Sequence, residues 1–355
     1  MICGILGFPL VFLQRFRSPA SVSLALLLLL GLAGCGSGGG AKKDGGTDLL
    51  LVSYAVTKNA YDKILPAFIA DWKARTGQTL TIRTSYGGSA SQTRAIIDGL
   101  EADVANLALA GDIDKLQKMG LIDAGWEKEL PYNSNVTNSV VALITRPGNP
   151  KGIRTWSDLA RPDVQVITAN PKTSGGARWN FLALWGSVSP GSGKEAQARE
   201  FVTKVYRNVD NLPRDAREAS DAFLKRNQGD VLLNYENEAI LAKRKGELTS
   251  PFLVPDPNIR IEAPVAVVDR NVDRHGTRKA AEALAAYLQS APAQAIFAEE
   301  GFRPVLPQVW KKVEGQFTPV KTLVGVAAFG GWPQVDRTFF ATGSGLWDQL
   351  FRESR

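Results

Sequence analysis

Asn170-Pro171-Lys172-Thr173-Ser174-Gly175-Gly176-Ala177-Arg178-Trp179-Asn180 is the stretch from which the rest of the chain can be read. It lies between a β-rich run starting at Val164 and an apolar helical run through Phe181, so it reads as a strand–turn–helix junction. At such a junction the first backbone N–H groups of the helix have no intrahelical partner and point outward. The two glycines let an anion approach the backbone, and the helix dipole favours negative charge there. Ser174 adds a hydroxyl donor. The loop lacks the lysine of the nucleotide pattern GxxxxGK[ST], so it does not match ATP or GTP binding.

A second junction of the same kind precedes it: Ser85-Tyr86-Gly87-Gly88-Ser89-Ala90-Ser91-Gln92, between a strand starting at Leu80 and a helix through Ile96. Taken singly, a glycine–serine loop reads as an N-cap and a tight turn. Two of them, each after a strand, in a chain without a catalytic triad, shift the balance to anion binding.

Around these junctions short β-rich runs alternate with amphipathic helical stretches. Strands are expected at 49–54, 80–85, 104–110, 140–145, 164–169, 231–235 and 264–269. Helices are expected at 60–76, 91–100, 113–119, 179–185, 195–207, 220–225 and 278–289. The alternation means an α/β fold with mostly parallel sheets. Trp72, Trp179 and Trp185 fall on helices and read as core.

The N-terminus carries its own message. Leu32-Ala33-Gly34-Cys35 follows the apolar run 22–32, with Arg15 and Arg17 before it. That run is far short of the roughly 18–20 residues a membrane-spanning helix needs. A basic stretch, a short apolar core and small residues before a cleavage point describe an export signal. With a cysteine at the cut, the segment resembles the bacterial lipobox. It implies a mature chain that starts at a lipidated Cys35 and works outside the cytoplasm. Residues 1–34 are then the signal, and 35–46 a Gly/Ser-rich tether.

Composition narrows the chemistry. The cysteines are Cys3, discarded with the signal, and Cys35, so the mature fold has neither disulfide nor thiol catalyst. The single histidine, His275, lies in Asp273-Arg274-His275-Gly276, expected as an exposed turn. A His-based metal site or acid–base machinery is therefore not expected, and neither a cofactor nor an enzymatic activity is implied. The formal charge of +7 falls to +5 when Arg15 and Arg17 leave, and no basic run is longer than Lys243-Arg244-Lys245. Nucleic-acid binding would need a denser patch. Glu236 and Glu238 read either as an acid–base dyad or as groups that bond backbone and close the structure; the second is preferred.

With these segments in hand the chain resembles the sulfate-binding proteins of bacterial sulfate ABC transporters over its mature length. The resemblance rests on the 170–180 run, with Leu51-Val52-Ser53-Tyr54, Tyr86-Gly87-Gly88-Ser89, Glu101-Ala102-Asp103, Gly229-Asp230-Val231-Leu232, Glu236-Asn237-Glu238 and Phe329-Gly330-Gly331-Trp332 in support. It implies a two-lobed periplasmic-binding fold with hinge strands, lobe one from 47–135 and 259–300, and lobe two from 136–258 and 301–355. It also implies a monomer that holds a dehydrated sulfate ion by uncharged donors and delivers it to an ABC permease. Thiosulfate, molybdate or tungstate is the alternative ligand, and anion sensing without transport the alternative role. Carried over residue by residue, the ligands are the N–H of Ala55 (aspartate in many relatives), the N–H and hydroxyl of Ser89, the Ser174 hydroxyl, the N–H groups of Gly175 and Gly176, and the N–H of Ala216. Tyr235 stands where the family pattern has a tryptophan indole. Arg178 is expected to orient the loop rather than touch the ion.

Cys35→Ser should give a protein without lipid that still binds the anion once the signal is removed, because the tether separates anchor from body. Mass spectrometry of the membrane fraction checks this: an unmodified native Cys35 contradicts the lipoprotein reading.

Overall fold

The computed structural model describes residues 46–191 and 193–354, so the signal, Cys35 and the tether up to Gly45 lie outside the described residues. Among the described residues eleven strands form three sheets. They are β1 (Thr47–Tyr54), β2 (Leu80–Gly87), β3 (Val104–Asn106), β4 (Asn135–Ser139), β5 (Val141–Thr145), β6 (Val166–Ile167), β7 (Val231–Tyr235), β8 (Asn258–Ile259), β9 (Ile261–Val267), β10 (Arg303–Pro304) and β11 (Leu323–Val324). The large sheet runs β10-β4-β9-β3-β1-β2, the small one β5-β7-β6, and β11 pairs with β8. The helices that matter for the site are α1 (Lys58–Thr76), α2 (Ser89–Ile97), α3 (Ala110–Lys118), α4 (Gly175–Val188), α5 (Glu195–Arg207), α6 (Ala216–Leu224) and α7 (Glu236–Arg244).

β1 and β2 are parallel over eight residues, from Thr47 beside Leu80 to Tyr54 beside Gly87. The next residues, Ala55 and Gly88, therefore leave the large sheet together at its carboxyl edge, the place where open α/β sheets bind ligands. In the small sheet β6 is parallel to β7, which ends at Tyr235. Parallel pairing is four of the eight strand pairs, less than the alternation predicts. The antiparallel pairs involve β4, β5, β9 and β10, next to the points where the chain passes from one sheet to another and enters in the opposite sense.

The passages are short. β4 ends in the large sheet at Ser139, and after Val140 the chain is in the small sheet as β5. After Arg260 it returns from β8 to the large sheet as β9. The two passages are tied by the buried Asn258. Its Oδ1 accepts from the Val141 N–H at 3.0 Å, and its Nδ2 donates to the Val141 and Pro255 carbonyls at 2.9 Å each.

α4 is the central helix. Every residue from Gly175 to Gly186 is buried, including Trp179, Phe181, Trp185 and the flanking leucines. A helix apolar on all sides belongs inside. Its aromatic residues meet the C-terminal segment: Trp179 packs edge-on against Trp332 at 4.8 Å, and Phe181 against Phe339 and Phe340. Trp72, Trp179 and Trp185 are core, as the pattern indicates. Among the described residues no helix is long and apolar enough to cross a membrane.

Where expected and observed elements differ, tertiary bonding explains it. The strand expected at 104–110 stops at Asn106, because the Ala108 N–H goes to the Ser89 hydroxyl oxygen and the Ala108 carbonyl to the Trp179 indole. β4 has a polar sequence, Asn135-Val136-Thr137-Asn138-Ser139, yet is mostly buried through pairing with β9.

Asn258→Ala should destabilise the protein by about 2–4 kcal/mol, because it strands the buried N–H and C=O of Val141. Urea unfolding at fixed ligand concentration measures it.

Candidate anion-binding site

Four chain starts point at one small cavity. The short 3₁₀ turn Ala55–Thr57 follows β1, α2 begins at Ser89 after Gly88, α4 begins at Gly175 after Ser174, and α6 begins at Ala216 after Asp215. The cavity is lined by Tyr54, Ala55, Val56, Gly87, Gly88, Ser89, Ala108, Ser174, Gly175, Gly176, Asp215, Ala216 and Tyr235. All seven ligand positions expected from the sequence thus border one space, although they come from both sheets. The centre of a water-sized sphere can move through only about 10 Å³ of it, which suits one small ion.

No described protein acceptor takes the backbone N–H of Ala55, Ser89, Gly175, Gly176 or Ala216. Local capping uses other groups. Ser174 Oγ accepts from the Ala177 N–H at 3.3 Å and keeps its own proton. Asp215 Oδ1 accepts from the Glu218 N–H at 2.9 Å, and Glu218 takes the Arg214 N–H at 2.8 Å, so the Ala216 N–H stays unclaimed. Asp215 is the one lining residue with a charged side chain, and that carboxylate caps α6 by accepting from the Glu218 N–H.

Tyr235 closes one wall. Its side-chain oxygen is buried without a partner among the described residues. Burial pushes its ionisation well above the ordinary phenol range, with smaller contributions from Tyr54, Asp112 and Glu238, so the group remains an O–H donor. Gly176 permits this packing: a Cβ there would stand 2.6 Å from the Tyr235 ring. A Cβ on Gly175 would stand 2.6 Å from that of Ala108.

Ser89 departs from expectation. Its hydroxyl donates to Asp112 Oδ2 at 2.7 Å and accepts from the Ala108 N–H at 3.0 Å. The proton expected to face an anion is held by a carboxylate, and the residue offers the cavity its N–H alone. Asp112 is fully buried and was not foreseen. Burial raises its pKa, but Lys115 at 3.0 Å, Arg178 at 3.7 Å and the Ser89 hydroxyl together hold it below the usual carboxylate range. Arg178 and Lys115 also reach Asp336, at 3.2 and 3.3 Å. Arg178 Nε donates to the Pro171 carbonyl at 2.9 Å, so the arginine orients the 170–176 loop and does not line the cavity.

Two further expectations resolve. Glu236 pairs with Arg303 at 2.7 Å, and Glu238 is bound by Arg217 at 2.8 Å and by the Ser220 hydroxyl at 2.7 Å. Each carboxylate has its own cation, so they form no dyad. His275 is exposed as expected, but it ends the helix Asp269–His275 before Gly276 rather than sitting in a free turn, and its Nδ1 lies 2.9 Å from Asp103, which holds the ring against the surface.

The two glycine-rich loops also touch each other. The Thr173 carbonyl accepts from the N–H groups of Ala90 and Ser91 at 3.1 and 3.4 Å. Arg94 Nη2 donates to the Lys172 carbonyl at 3.3 Å.

A fold with hinge strands between two sheet-centred lobes, and helix starts from both facing one ion-sized cavity, is that of a periplasmic solute-binding protein. The sequence profile of the bacterial extracellular solute-binding proteins matches residues 49–303, and the chain belongs to that family. Within it the chain is 52% identical to the sulfate-binding protein of Synechococcus elongatus, covering 93% of this chain and 95% of that one. It is 43% identical to the sulfate-binding protein of Escherichia coli, covering 85% and 92%. Among solved structures, the sulfate-binding protein SubI of Mycobacterium tuberculosis superposes with a TM-score of 0.76 at 37% identity, over 82% of this chain and 98% of that one.

Since the Asp112 pKa is lowered on folding, the unfolded chain takes up the proton first as pH falls. The stability it contributes is full above about pH 4, the unfolded carboxylate value, and is lost as pH drops toward the lower folded value. Asp112→Asn should flatten this acid limb of the stability–pH profile while leaving its neutral-to-alkaline shape unchanged.

Proposed function

We propose that this protein captures sulfate in the cavity between its lobes and hands it to an ABC permease. The observation that carries the reading is the donor set. Five backbone N–H groups without protein partners and two hydroxyls, those of Ser174 and Tyr235, surround an ion-sized space with no lysine or arginine in its lining. Sulfate at neutral pH has no proton and can accept from every one of these groups. Monohydrogen phosphate would set its own O–H against a donor or have to lose the proton. Hydrogen bonds to an ion contribute about 1.5–3 kcal/mol each. Seven of them offset dehydration and ordering well enough for micromolar affinity, about −8 kcal/mol. The sulfate-binding relatives support the same ligand. The site contains no assembled nucleophile and base, and no reaction is assigned to it.

The export signal and Cys35 place the mature chain on the outer side of the cytoplasmic membrane, lipid-anchored through the 36–46 tether. In this reading the large and small sheets centre the two lobes and the passages at Val140 and Arg260 serve as hinges; β4 and β10, expected in lobe two, lie in the large sheet because β4 pairs with β9 and β10 with β4. The protein acts as a monomer, each chain holding one ion.

Calorimetric titration of the lipid-free protein with sulfate, phosphate, thiosulfate and molybdate tests the reading. Sulfate should bind one ion per chain at pH 7, and phosphate should bind about a hundredfold more weakly, as one clashing donor pair in a buried site requires. Tyr235→Phe should weaken sulfate by about 1.5–3 kcal/mol if the phenol donates to the ion. Equal affinity for sulfate and phosphate would refute the donor-only site; an unchanged Tyr235→Phe affinity would reduce Tyr235 to a wall.

A further inference from the structure

The contact between the two glycine-rich loops has its own chemistry. Helix α2 leaves three N–H groups at its start. That of Ser89 faces the cavity, while those of Ala90 and Ser91 are taken by the Thr173 carbonyl, at 3.1 and 3.4 Å. Thr173 belongs to the loop that leads into α4, on the other side of the cleft. One helix N-terminus is thus shared between the anion site and a carbonyl from the opposing lobe.

Gly88 sits at this meeting point as the N-cap of α2. Its backbone is extended, φ −63° and ψ 135°, a conformation any residue adopts. Its lack of a side chain therefore has no conformational cause. The cause is steric. A Cβ at Gly88 would lie 2.3 Å from the Thr173 oxygen, 2.9 Å from the Thr173 carbonyl carbon and 3.0 Å from the Arg214 oxygen. All three atoms belong to the opposing lobe, and all are backbone, which cannot swing aside as a long side chain can.

We propose that Gly88 is the position that admits closure. It holds the gap through which the Thr173 carbonyl reaches α2, and its hydrogen atom in place of a methyl lets the lobes come together over the anion. Gly88 gives the ion no donor of its own in this scheme; it acts by allowing Ala55 and Ser89 to meet Ser174, Gly175, Gly176 and Ala216. Arg94, one turn further along α2, adds a second bond across the same seam through the Lys172 carbonyl at 3.3 Å. The inference rests on the sulfate reading above and adds the element that decides whether the bound ion is enclosed.

The test uses Gly88→Ala in the lipid-free protein, with sulfate as the probe. Three quantities are measured: the melting temperature without sulfate, the association and dissociation rates by stopped flow, and the compaction on sulfate addition by small-angle scattering. On this proposal the sulfate-free lobes stand apart and leave a methyl at Gly88 nothing to strike, so the sulfate-free melting temperature should match wild type. Affinity should fall roughly 10- to 100-fold, the cost of overpacking a closed interface by one methyl. The loss should appear as faster release, and sulfate should no longer compact the protein. Wild-type affinity and compaction in Gly88→Ala would overturn the proposal. So would a fall in the sulfate-free melting temperature large enough to account for the lost binding. If Gly88→Ala cannot be obtained folded, Arg94→Ala carries the test: release should quicken several-fold, and an unchanged release rate overturns the proposal. A wild-type protein that binds no sulfate would instead refute the sulfate reading itself, which separates the two failures.

Discussion

Everything in this structure depends on backbone N–H groups that the protein leaves without partners. A buried N–H with no acceptor costs about 1–3 kcal/mol. Here five of them, at Ala55, Ser89, Gly175, Gly176 and Ala216, face one cavity beside the hydroxyls of Ser174 and Tyr235. On the function proposed above, a closed cleft without an anion would carry that deficit, and the ion would supply what closure lacks. Helix starts are the natural source of such groups, since they leave N–H donors over by geometry and add the dipole's positive end. The fold brings the starts of α2, α4 and α6 together from two different sheets, which no single sheet edge could do.

Behind the donors stands a set of charges that never meets the ligand. Asp112, Arg178, Asp336 and Lys115 alternate in sign around a ring of contacts between 3.0 and 3.7 Å. The ring sums to zero. Arg178 grips the Pro171 carbonyl and Asp112 grips the Ser89 hydroxyl, so each glycine-rich loop is anchored to one member. Removing one member of such a buried group leaves its neighbours uncompensated. Arg178 therefore serves geometry, its charge neutralised by two carboxylates.

The sequence made the two junctions legible because they are local: strand residues, small residues and a helical period occur in one short stretch each. Ser174, Gly175 and Gly176 could be placed for that reason, and α5 spans 195–207 as its period indicates. What stayed hidden is what depends on distant partners. The Ser89 hydroxyl could not be assigned without Asp112, 23 residues away. His275 is exposed as expected, but its contact with Asp103, 172 residues earlier, could not be read locally. Gly88 was visible as a glycine, but its reason is the Thr173 carbonyl from the other loop. Ala216, by contrast, lay in a segment with no glycine signal and still heads a helix, because Asp215 and Glu218 cap it with carboxylates.

Asn258, outside the cavity lining, holds two strand passages together with three hydrogen bonds. In a two-state cleft the observed affinity is the intrinsic affinity scaled by the fraction of molecules ready to close. If the passages are the hinges proposed above, residues 139–141 and 255–260 would work as a gain control. Substitutions there that leave the Val141–Tyr235 strand pairing intact would then change the response to all anions together, whereas the ranking among anions would be set in the cavity. A lineage facing scarcer or richer supplies can reset its working range at the hinge without disturbing what it recognises.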